Sequence, residues 1–518
     1  MSLSLPAPVT RRLDAFTGRW TMYRLTVILL LAVTAWSFVL SFAGALAYTP
    51  AELAATAAAA VVSALVASRV MGLLFRTRPQ TDSSLITGLL LYFLMWPSTE
   101  GTALLTVALA AGAATASKYL LVWRGRHIFN PAALGAAVLA LTGLGAAVWW
   151  VAAPLMLVAV LPAAAVILYR NRLLPMAGVF LLAAGVIITV RMVLAGEALP
   201  AALGILLASY PVVFFAGFML SEPLTLPPRR WQRLLEAAVV GVLFAVPLHV
   251  GPVFMSPELA LLAGNLLAFA LAPRTGIRLR LRENRALTPT ARELVFEPTR
   301  PLRFQPGQYV ELSLPHGTAD ARGTRRIFSL TTAPEDSGTV AVGLRAVEPA
   351  SSFKTALLKL KPGAVVSATS VAGDFLLPRD RSVPLLLIAS GVGITPFMSQ
   401  LRSLAAGGGD GDGDGTGTVA RDVVLVYAAA SVDELAYAAE LHRLGIRVLV
   451  CTPTDPQISG WTYLGPGLPD GQTLARAVPD AAKRAAYVSG SPAAVAAARA
   501  AVRGAGGRSV RTDAFLGY

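Results

Sequence analysis

The pattern of hydrophobic and polar positions changes near residue 273. Before this point, long apolar runs alternate with short polar stretches, and ten runs are candidate membrane spans. A hydrocarbon core about 30 Å thick needs about 20 apolar residues per helix. The ten candidates are residues 25–48, 52–75, 83–97, 102–122, 132–149, 151–169, 174–195, 200–220, 234–250 and 256–272. The pattern predicts a polytopic α-helical membrane domain at 25–273, preceded by a short segment at 1–24.

After residue 274 the period of the apolar and polar pattern shortens to about two residues. Stretches such as "RELVFEP" and "GQYVELSLP" alternate apolar and polar residues, as half-buried strands do. Short strands between Gly/Pro turns predict an antiparallel β-barrel at 274–381. From 382 to 518, apolar strands alternate with helices, which predicts a parallel α/β domain with helices on both faces of its sheet.

The basic residues cluster in alternate loops of the apolar half. Arginines precede the first span and follow the second, fourth, sixth, eighth and tenth, whereas the loops between these contain no Lys or Arg. The positive-inside rule therefore predicts a multi-pass protein of the cell inner (plasma) membrane with both termini cytoplasmic. The net charge of +15 does not indicate nucleic acid binding, because the soluble half has no basic stripe interleaved with aromatic residues.

Several redox centres and metal sites are excluded by composition. Cys451 is the single cysteine, so an intrachain disulfide, a four-thiolate iron–sulfur cluster and a zinc site built on Cys pairs are ruled out. Bis-histidine haem is not expected, because His127 and His249 are predicted at helix ends on opposite sides. The stretch "DGDGDGTGT" at 410–418 resembles the start of a calcium loop, but Arg421 occupies the twelfth position, where glutamate is needed.

The turn "SGVGITP" at 390–396 is typical of a phosphate-binding site. Gly391 and Gly393 directly follow a buried strand, and Thr395 and Pro396 begin a helix. Glycine lets the backbone approach a pyrophosphate closely, and a helix N-terminus favours an anion. The third glycine of the standard dinucleotide fingerprint is missing, so the turn indicates a nucleotide site of another type.

Six ordered motifs in residues 276–518 resemble the ferredoxin–NADP reductase-type flavoproteins. They are "FQPGQYV", "RIFS", "GDF" with a following "LP", "SGVGITP", "VSGSP" and "DAFLGY". The resemblance implies that the barrel binds FAD and that the α/β domain binds NAD(P). It further implies an NAD(P)H-dependent, FAD-containing oxidoreductase.

The same resemblance assigns roles in FAD binding. Arg326 would pair with the FAD pyrophosphate, because a guanidinium fork matches phosphate oxygens. Phe328, at a position where the family more often has tyrosine, would pack on the flavin or adenine side, and Ser329 would hydrogen-bond flavin N5. Ser351 and Ser352 begin a helix that would contact the second phosphate, with a plain N-cap as the alternative.

A second group of residues is assigned to the nicotinamide nucleotide and hydride transfer. This group consists of Gly391, Gly393, Thr395, Pro396, Ser489, Gly490, Phe515 and Tyr518. Ser329, Ser489 and Tyr518 are the predicted catalytic residues, placed beside the flavin and nicotinamide rings. Residues 427–437, after the second strand, contain no arginine to hold a 2′-phosphate, which favours NADH; Arg443 or Arg447 keeps NADPH open.

The apolar half resembles a different family. Residues 81–97, 117–135 ("SKYLLVWRGRHIFNPAALG") and 217–228 are similar to the flavin-carrying membrane subunits of the sodium-translocating NADH:quinone reductase and Rnf complexes. That implies ten helices and a flavin. The segment with the threonine that carries covalent FMN in that family is missing, so a noncovalent flavin is the remaining option. The Asn130–Pro131 helix start is expected to offer free backbone N–H groups. With Arg124, Arg126 and His127 beside it, this helix start would suit the flavin phosphate.

Together these features predict a membrane-bound flavoprotein that passes electrons from NAD(P)H through FAD to an acceptor. The acceptor stays open between a quinone, a membrane flavin and a separate redox protein, and the lipid bilayer is the expected surroundings of the apolar half. Two alternatives are a redox-driven ion-translocating subunit of an electron-transport complex and a non-catalytic assembly subunit.

Overall fold

The chain folds into two compact units, one containing Arg19–Arg274 and the other Thr275–Tyr518. The computed structural model describes residues 20, 22–77, 79–123, 126–251, 253–271, 276–317, 324–336, 338–348, 350–407 and 418–515.

The first unit is helical. Its helices are α1 (Met22–Phe42), α2 (Pro50–Leu74), α3 (Thr81–Leu94), α4 (Gly101–Leu120), α5 (Pro131–Thr142), α6 (Leu157–Arg170), α7 (Leu174–Leu194), α8 (Leu199–Ser209), α9 (Val212–Met219), α10 (Arg230–Ala245) and α11 (Pro257–Leu271). Two short hairpins, Val122–Trp123 with Arg126–His127 and His249–Val250 with Val253–Phe254, lie between helices. Each of the ten predicted segments is thus helical.

The helices differ in whether they are long enough to cross a membrane. Among the described residues, α1, α2, α4 and α7 are long and apolar enough, and α8 with α9, bent by 54° at their break, would make a fifth. The 14-residue α3 is only about 21 Å long at 1.5 Å per residue, less than the hydrocarbon core. The prediction of ten spans is therefore not confirmed, although the helices themselves are present.

Local signals explain where helices begin and end. Thr49 and Glu52 form a capping box at the start of α2. Asn130 caps α5 through its side chain. Helix α5 ends at Gly143, whose φ of 72° is left-handed and ends the helix well before residue 149, where the apolar run ends.

The second unit begins with an antiparallel barrel, as predicted. Its strands are β1 (Ile277–Ala286), β2 (Ala291–Pro298), β3 (Tyr309–Ser313), β4 (Arg325–Ser329), β5 (Val340–Arg345) and β6 (Val365–Ala372). They pair in the order β4-β3-β6-β1-β2-β5. A bridge between Leu330 and Val342 joins the two ends of that order and closes the sheet. Helix α12 (Ser352–Leu358) buries Phe353 and Leu357 in the barrel core.

A six-stranded parallel sheet follows, also as predicted. Its strands are β7 (Leu385–Ser390), β8 (Val423–Ala428), β9 (Arg447–Cys451), β10 (Thr462–Tyr463), β11 (Ala485–Gly490) and β12 (Val510–Ala514), in the order β10-β9-β8-β7-β11-β12. Helices α13 (Thr395–Ala406) and α14 (Ala438–Arg443) cover one face, and α15 (Gly471–Ala477) and α16 (Pro492–Gly504) cover the other. The strand order reverses between β7 and β11. In such sheets, ligands bind beyond the carboxyl ends of the strands at this switch point.

Candidate functional site

The carboxyl ends of β7 and β11 meet at the switch point. Gly391 has a φ of 53°, in the left-handed region, and starts a single 3₁₀ turn that leads into α13. At Gly393 the backbone lies so close to β11 that an added Cβ would overlap the Ser489 carbonyl group. The structure therefore brings the turn with Gly391 and Gly393 together with Ser489 and Gly490.

Ser489 places a buried hydroxyl at this point. The residue is 1% exposed, and its Oγ has no hydrogen-bond partner among the described residues. We call the turn at 390–396 the nucleotide-type turn. Buried hydroxyls normally have a hydrogen-bond partner, so a hydroxyl without one beside this turn fits a ligand with a polar group. The peptide N–H of Phe515 donates to the Gly490 carbonyl at 2.8 Å, which places Phe515 at the same strand end. Tyr518 lies outside the described residues.

The first turn of α13 lies against the barrel. Thr395 donates its hydroxyl to the Val392 carbonyl at 2.8 Å and so fixes the turn internally. Its methyl group occupies the space beside Gly343 of β5, where an added Cβ would overlap it. Pro396 is the second residue of α13 and is buried. The nucleotide-type turn thus adjoins the barrel that carries the predicted FAD residues.

Strand β4 and helix α12 bring those predicted FAD residues together. Arg326 and Phe328 are buried, whereas Ile327 between them is 59% exposed. The Arg326 guanidinium lies over the Phe353 ring, with Cζ 5.4 Å from its centroid. Phe328 stacks on the same ring at a centroid distance of 6.1 Å. Arg326 is therefore placed at the start of α12, where Ser351 lies.

The two serines at this helix start differ in their contacts. Ser351 is the N-cap, and its Oγ accepts from the Lys354 N–H at 3.4 Å, which is the plain capping role. Ser352 Oγ lies 2.9 Å from His316 Nε2. No motif pointed to His316, because this histidine lies 36 residues before Ser352 in a loop with no recognisable spacing. A hydroxyl and an imidazole thus join the guanidinium at one end of α12.

Ser329 ends β4 and lies opposite Tyr309 of β3 in the sheet register. It is buried, and the chain continues from it through Leu330 to Thr331 and Thr332. Ser399 of α13 donates to the Thr332 carbonyl at 2.6 Å. The segment that follows Ser329 is thus bonded directly to the helix that begins at Thr395.

The segment after β8 contains acidic side chains. Asp433 is exposed, and Glu434 accepts hydrogen bonds from Thr288 at 2.9 Å and Thr290 at 2.6 Å. Arg447, one of the two arginines considered for a 2′-phosphate, donates to the Ala477 carbonyl at 2.8 Å.

The helical unit has a small cavity that is partly open to its surroundings. All three segments that resemble the flavin-carrying membrane subunits line it, through residues such as Ser83, Lys118 and Glu222. The Lys118 ammonium donates to the Ser83 carbonyl at 2.8 Å and to its hydroxyl at 2.9 Å. His127 Nδ1 lies 3.6 Å from a Glu222 oxygen.

The Asn130–Pro131 helix start also borders this cavity, but its donors are occupied. The Asn130 N–H donates to Asn265 Oδ1 at 2.8 Å, and the Ala133 N–H donates to Asn130 Oδ1 at 3.1 Å. The expectation of free N–H groups for a phosphate is therefore wrong at these two positions, because side-chain amides already satisfy them. Arg124 and the side chain of Arg126 lie outside the described residues.

Comparisons with known proteins support the prediction for the C-terminal half. Residues 387–500 match the model of the oxidoreductase NAD-binding domain. An NADPH oxidoreductase of Mycobacterium tuberculosis is 35% identical over 146 residues, which are 27% of this chain and 34% of that protein. Ferredoxin–NADP reductase B of Sorangium cellulosum is 31% identical over 163 residues, 31% of this chain and 61% of that protein.

A third relative is the ferredoxin reductase component of the 3-ketosteroid-9-alpha-monooxygenase of Mycolicibacterium smegmatis. It is 27% identical over 206 residues, 40% of this chain and 53% of that protein. The chain thus spans about a third to three fifths of the length of these curated relatives. Among solved structures, the Amycolatopsis cytochrome P450 reductase GcoB aligns with a TM-score of 0.39 and 23% identity, over 47% of this chain and 70% of that one. The sequence matches support a ferredoxin–NADP reductase-type FAD/NAD-binding region.

Proposed function

We propose that this chain is a membrane-bound flavoprotein oxidoreductase that moves electrons from NAD(P)H through FAD to a membrane or protein acceptor. One observation carries the proposal. The close-packed Gly393, the orphaned Ser489 hydroxyl and the first turn of α13 meet at the switch point of a parallel sheet, directly beside a barrel. The names of the relatives, NADPH oxidoreductase and ferredoxin reductase among them, point to the same chemistry.

The residues present fit FAD at the barrel. A pyrophosphate needs a buried or half-buried cation with several N–H donors, and Arg326 provides it next to α12. Phe328 supplies an apolar ring in line with Phe353, and Ser329 supplies a hydroxyl at the end of the same strand. When bound, FAD supplies the atom that accepts a hydride and can release the two electrons singly or in pairs.

The nicotinamide nucleotide fits the switch point. With hydrogen as the side chain, Gly391 and Gly393 let backbone N–H groups approach phosphate oxygens. The carboxamide of a nicotinamide ring would give the Ser489 hydroxyl a hydrogen-bond partner. Phe515, at the same strand end, would cover the site until the nicotinamide enters.

We further propose that NADH is the preferred donor. Residues 427–437 contain no arginine, and the exposed carboxylate of Asp433 would repel a 2′-phosphate. The guanidinium of Arg447 is bound to a backbone carbonyl instead.

The helical unit is proposed to be the membrane anchor of a plasma-membrane protein with cytoplasmic termini, related to the flavin-carrying membrane subunits. Its cavity joins three segments that are far apart in sequence and offers an ammonium group, a carboxylate and hydroxyls. An acceptor with an apolar body and polar oxygens, such as a noncovalent flavin or a quinone, suits this lining.

Buried carboxylates favour ion translocation as a second candidate function. Glu236 accepts from Asn265 at 3.3 Å, and Glu258 accepts from the Trp149 indole at 3.2 Å. Both carboxylates are at most 2% exposed, in a unit that contains helices long and apolar enough to cross a membrane. Ionisable residues inside membrane bundles are expensive and usually functional. Redox-dependent sodium or proton uptake by proteoliposomes would distinguish this function from electron transfer alone.

The decisive experiment is spectroscopic. The purified protein should show bound flavin, and anaerobic NADH should bleach its visible absorbance. Acid extraction followed by mass spectrometry should then identify FAD, and any second flavin, in the released fraction. A protein without flavin, or one whose flavin NADH and NADPH both fail to reduce, would contradict the proposal.

A further inference from the structure

A polar cluster with a buried centre links the barrel to the nucleotide domain. We name it the Glu293 cluster, after its central residue, and its other members are Thr331, Arg402, Tyr437 and Glu440. Arg402 lies two turns into α13 and donates to the Thr331 carbonyl at 2.7 Å. Ser399, one turn earlier on α13, binds the next residue, Thr332. Helix α13 is therefore attached to the barrel segment that begins two residues after Ser329.

Glu293 on β2 is the centre of these contacts. Its Oε1 accepts from the Thr331 hydroxyl at 2.7 Å and from the Tyr437 hydroxyl at 2.9 Å. Arg402 Nη1 is 3.7 Å from the same oxygen, and Arg285 Nη1 is 3.9 Å from the other oxygen. The Glu293 side chain is only 4% exposed. A buried carboxylate needs this number of donors and positive charges, so the arrangement is geometrically demanding.

Tyr437 and Arg402 are themselves held in place. Arg402 forms a two-pronged ion pair with Glu440 at 2.6 and 2.7 Å, and its guanidinium lies over the Tyr437 ring. Tyr437 has a φ of 60°, which non-glycine residues seldom adopt. Burial, together with the Glu293 carboxylate, raises the pKa of Tyr437 well above its ordinary value, so its hydroxyl stays a donor.

The cluster also closes around the start of α13. A Cβ on Gly343 would overlap the Thr395 methyl group, and it would lie 3.3 Å from the Tyr437 hydroxyl and 3.6 Å from the Thr331 methyl group. Thr395, Tyr437 and Thr331 therefore surround a single glycine of β5. The residues that donate hydrogen bonds to Glu293 therefore also fix the position of the nucleotide-type turn.

We propose that Glu293 is a positioning residue for hydride transfer. Through Thr331, Tyr437 and Arg402 it sets the first turn of α13, and so the nicotinamide, at a fixed distance from the strand with Ser329. Glu293 acts only through its neighbours, because its hydrogen bonds go to Thr331 and Tyr437 and not to Thr395 or Ser329. The inference rests on the proposed function. Its physical basis is that reacting atoms must lie within about 3–3.5 Å, and a shift of about 1 Å can cost about a hundredfold in rate.

The test uses variants of the full-length flavin-loaded protein that change a hydrogen-bonding group or a charge while keeping the shape of the side chain. Thr331→Val and Tyr437→Phe each delete one hydroxyl bound to Glu293, and Glu293→Gln removes its charge. Thr331→Ser restores the hydroxyl. Ser403→Ala is the matched control, because Ser403 also links α13 to the barrel, by a 2.9 Å bond to Glu335, but outside the cluster.

The measurements are the rate of flavin reduction in a stopped-flow instrument, the dissociation constant of NADH and the long-wavelength charge-transfer absorbance of the stacked rings. We expect the reduction rate to fall about tenfold and the charge-transfer band to weaken in Thr331→Val, Tyr437→Phe and Glu293→Gln. The dissociation constant should change less than twofold. Thr331→Ser and Ser403→Ala should behave like the natural protein.

Two results would overturn the inference. One is an unchanged rate and band in Thr331→Val and Tyr437→Phe with flavin retained. The other is an equal loss in Ser403→Ala, which would indicate general loosening of the two domains. If the natural protein itself is not reduced by NADH or NADPH, the proposed function has failed instead, so the two failures are distinguishable.

Discussion

The backbone of Gly393 lies directly against the carbonyl group of Ser489, so that no side chain larger than hydrogen fits between the nucleotide-type turn and β11. We expect Gly393→Ala to displace the turn and to lower NADH-dependent flavin reduction by about a hundredfold. FAD content should stay normal, because the barrel is untouched. Gly317→Ala, where an added Cβ meets nothing within 4 Å, is the control. Equal reduction rates in the two variants would contradict this role of the turn.

Arg326 should determine FAD retention. We expect Arg326→Ala to lower FAD affinity at least about tenfold, because a charge-assisted hydrogen bond contributes about 1.5–3 kcal/mol. Arg326→Lys should recover only part of this, since lysine lacks the planar fork. The measurement is flavin fluorescence released during gel filtration. Arg325→Ala provides the comparison, since its described contact to Arg326 is made through its backbone carbonyl. Full FAD content in Arg326→Ala would contradict this role of Arg326.

Nucleotide preference should respond to a single added cation. Ala430 is exposed in the segment after β8, where an arginine could pair with a 2′-phosphate. We expect the natural protein to favour NADH, and Ala430→Arg to raise kcat/KM for NADPH about tenfold with little change for NADH. Steady-state assays with both nucleotides measure this, and Ala430→Gln controls for side-chain size. A natural preference for NADPH would contradict the assignment.

Cys451 should be chemically silent in the folded protein. Burial raises the pKa of its thiol to about 11, so that at pH 8 only about one thiol in a thousand is thiolate. Iodoacetamide should label it at a negligible rate up to pH 9 and completely in denaturant, as read by intact mass. Because Cys451 is the single cysteine, fast labelling at pH 8 would show directly that β9 is accessible.

Asn130 should stabilise the helical unit. Its side chain caps α5 and donates to the Met219 carbonyl at 3.1 Å. We expect Asn130→Ala to lower the free energy of unfolding by about 1–3 kcal/mol, because the helix cap and the hydrogen bond to the Met219 carbonyl are both lost. Thermal unfolding in detergent measures this. Gln80→Ala should have no effect, because Gln80 precedes α3 without a capping bond from its side chain.

Local patterns predicted the parts of the fold that depend on neighbouring residues. Alternation in "GQYVELSLP" predicted β3, and "SGVGITP" predicted the strand, turn and helix at Gly391 and Thr395. Apolar runs predicted ten helical segments, but not the short length of helices such as α5. A left-handed Gly143 ends that helix, while apolar residues continue beyond it.

Contacts between distant residues could not be predicted in this way. Glu293 meets Tyr437 across 144 positions and Thr331 across 38. His316 and Ser352 come from a loop and a helix start on either side of β4 and β5. No periodicity relates such pairs, because their proximity arises only when the barrel closes and packs against α13. The Asn130 N–H was likewise expected to be free, since its acceptor Asn265 lies 135 positions away.

The reversal of strand order at β7 has a consequence for biosynthesis. The nucleotide-type turn is synthesised early in the α/β domain. Ser489 and Gly490 are added only with the fifth strand of that domain, about a hundred residues later. A nascent or cleaved chain that stops before β11 contains the whole barrel sequence but half of the nucleotide site. We expect such a fragment to take up FAD that NADH does not reduce, so that the proposed activity requires β11 as well as the barrel.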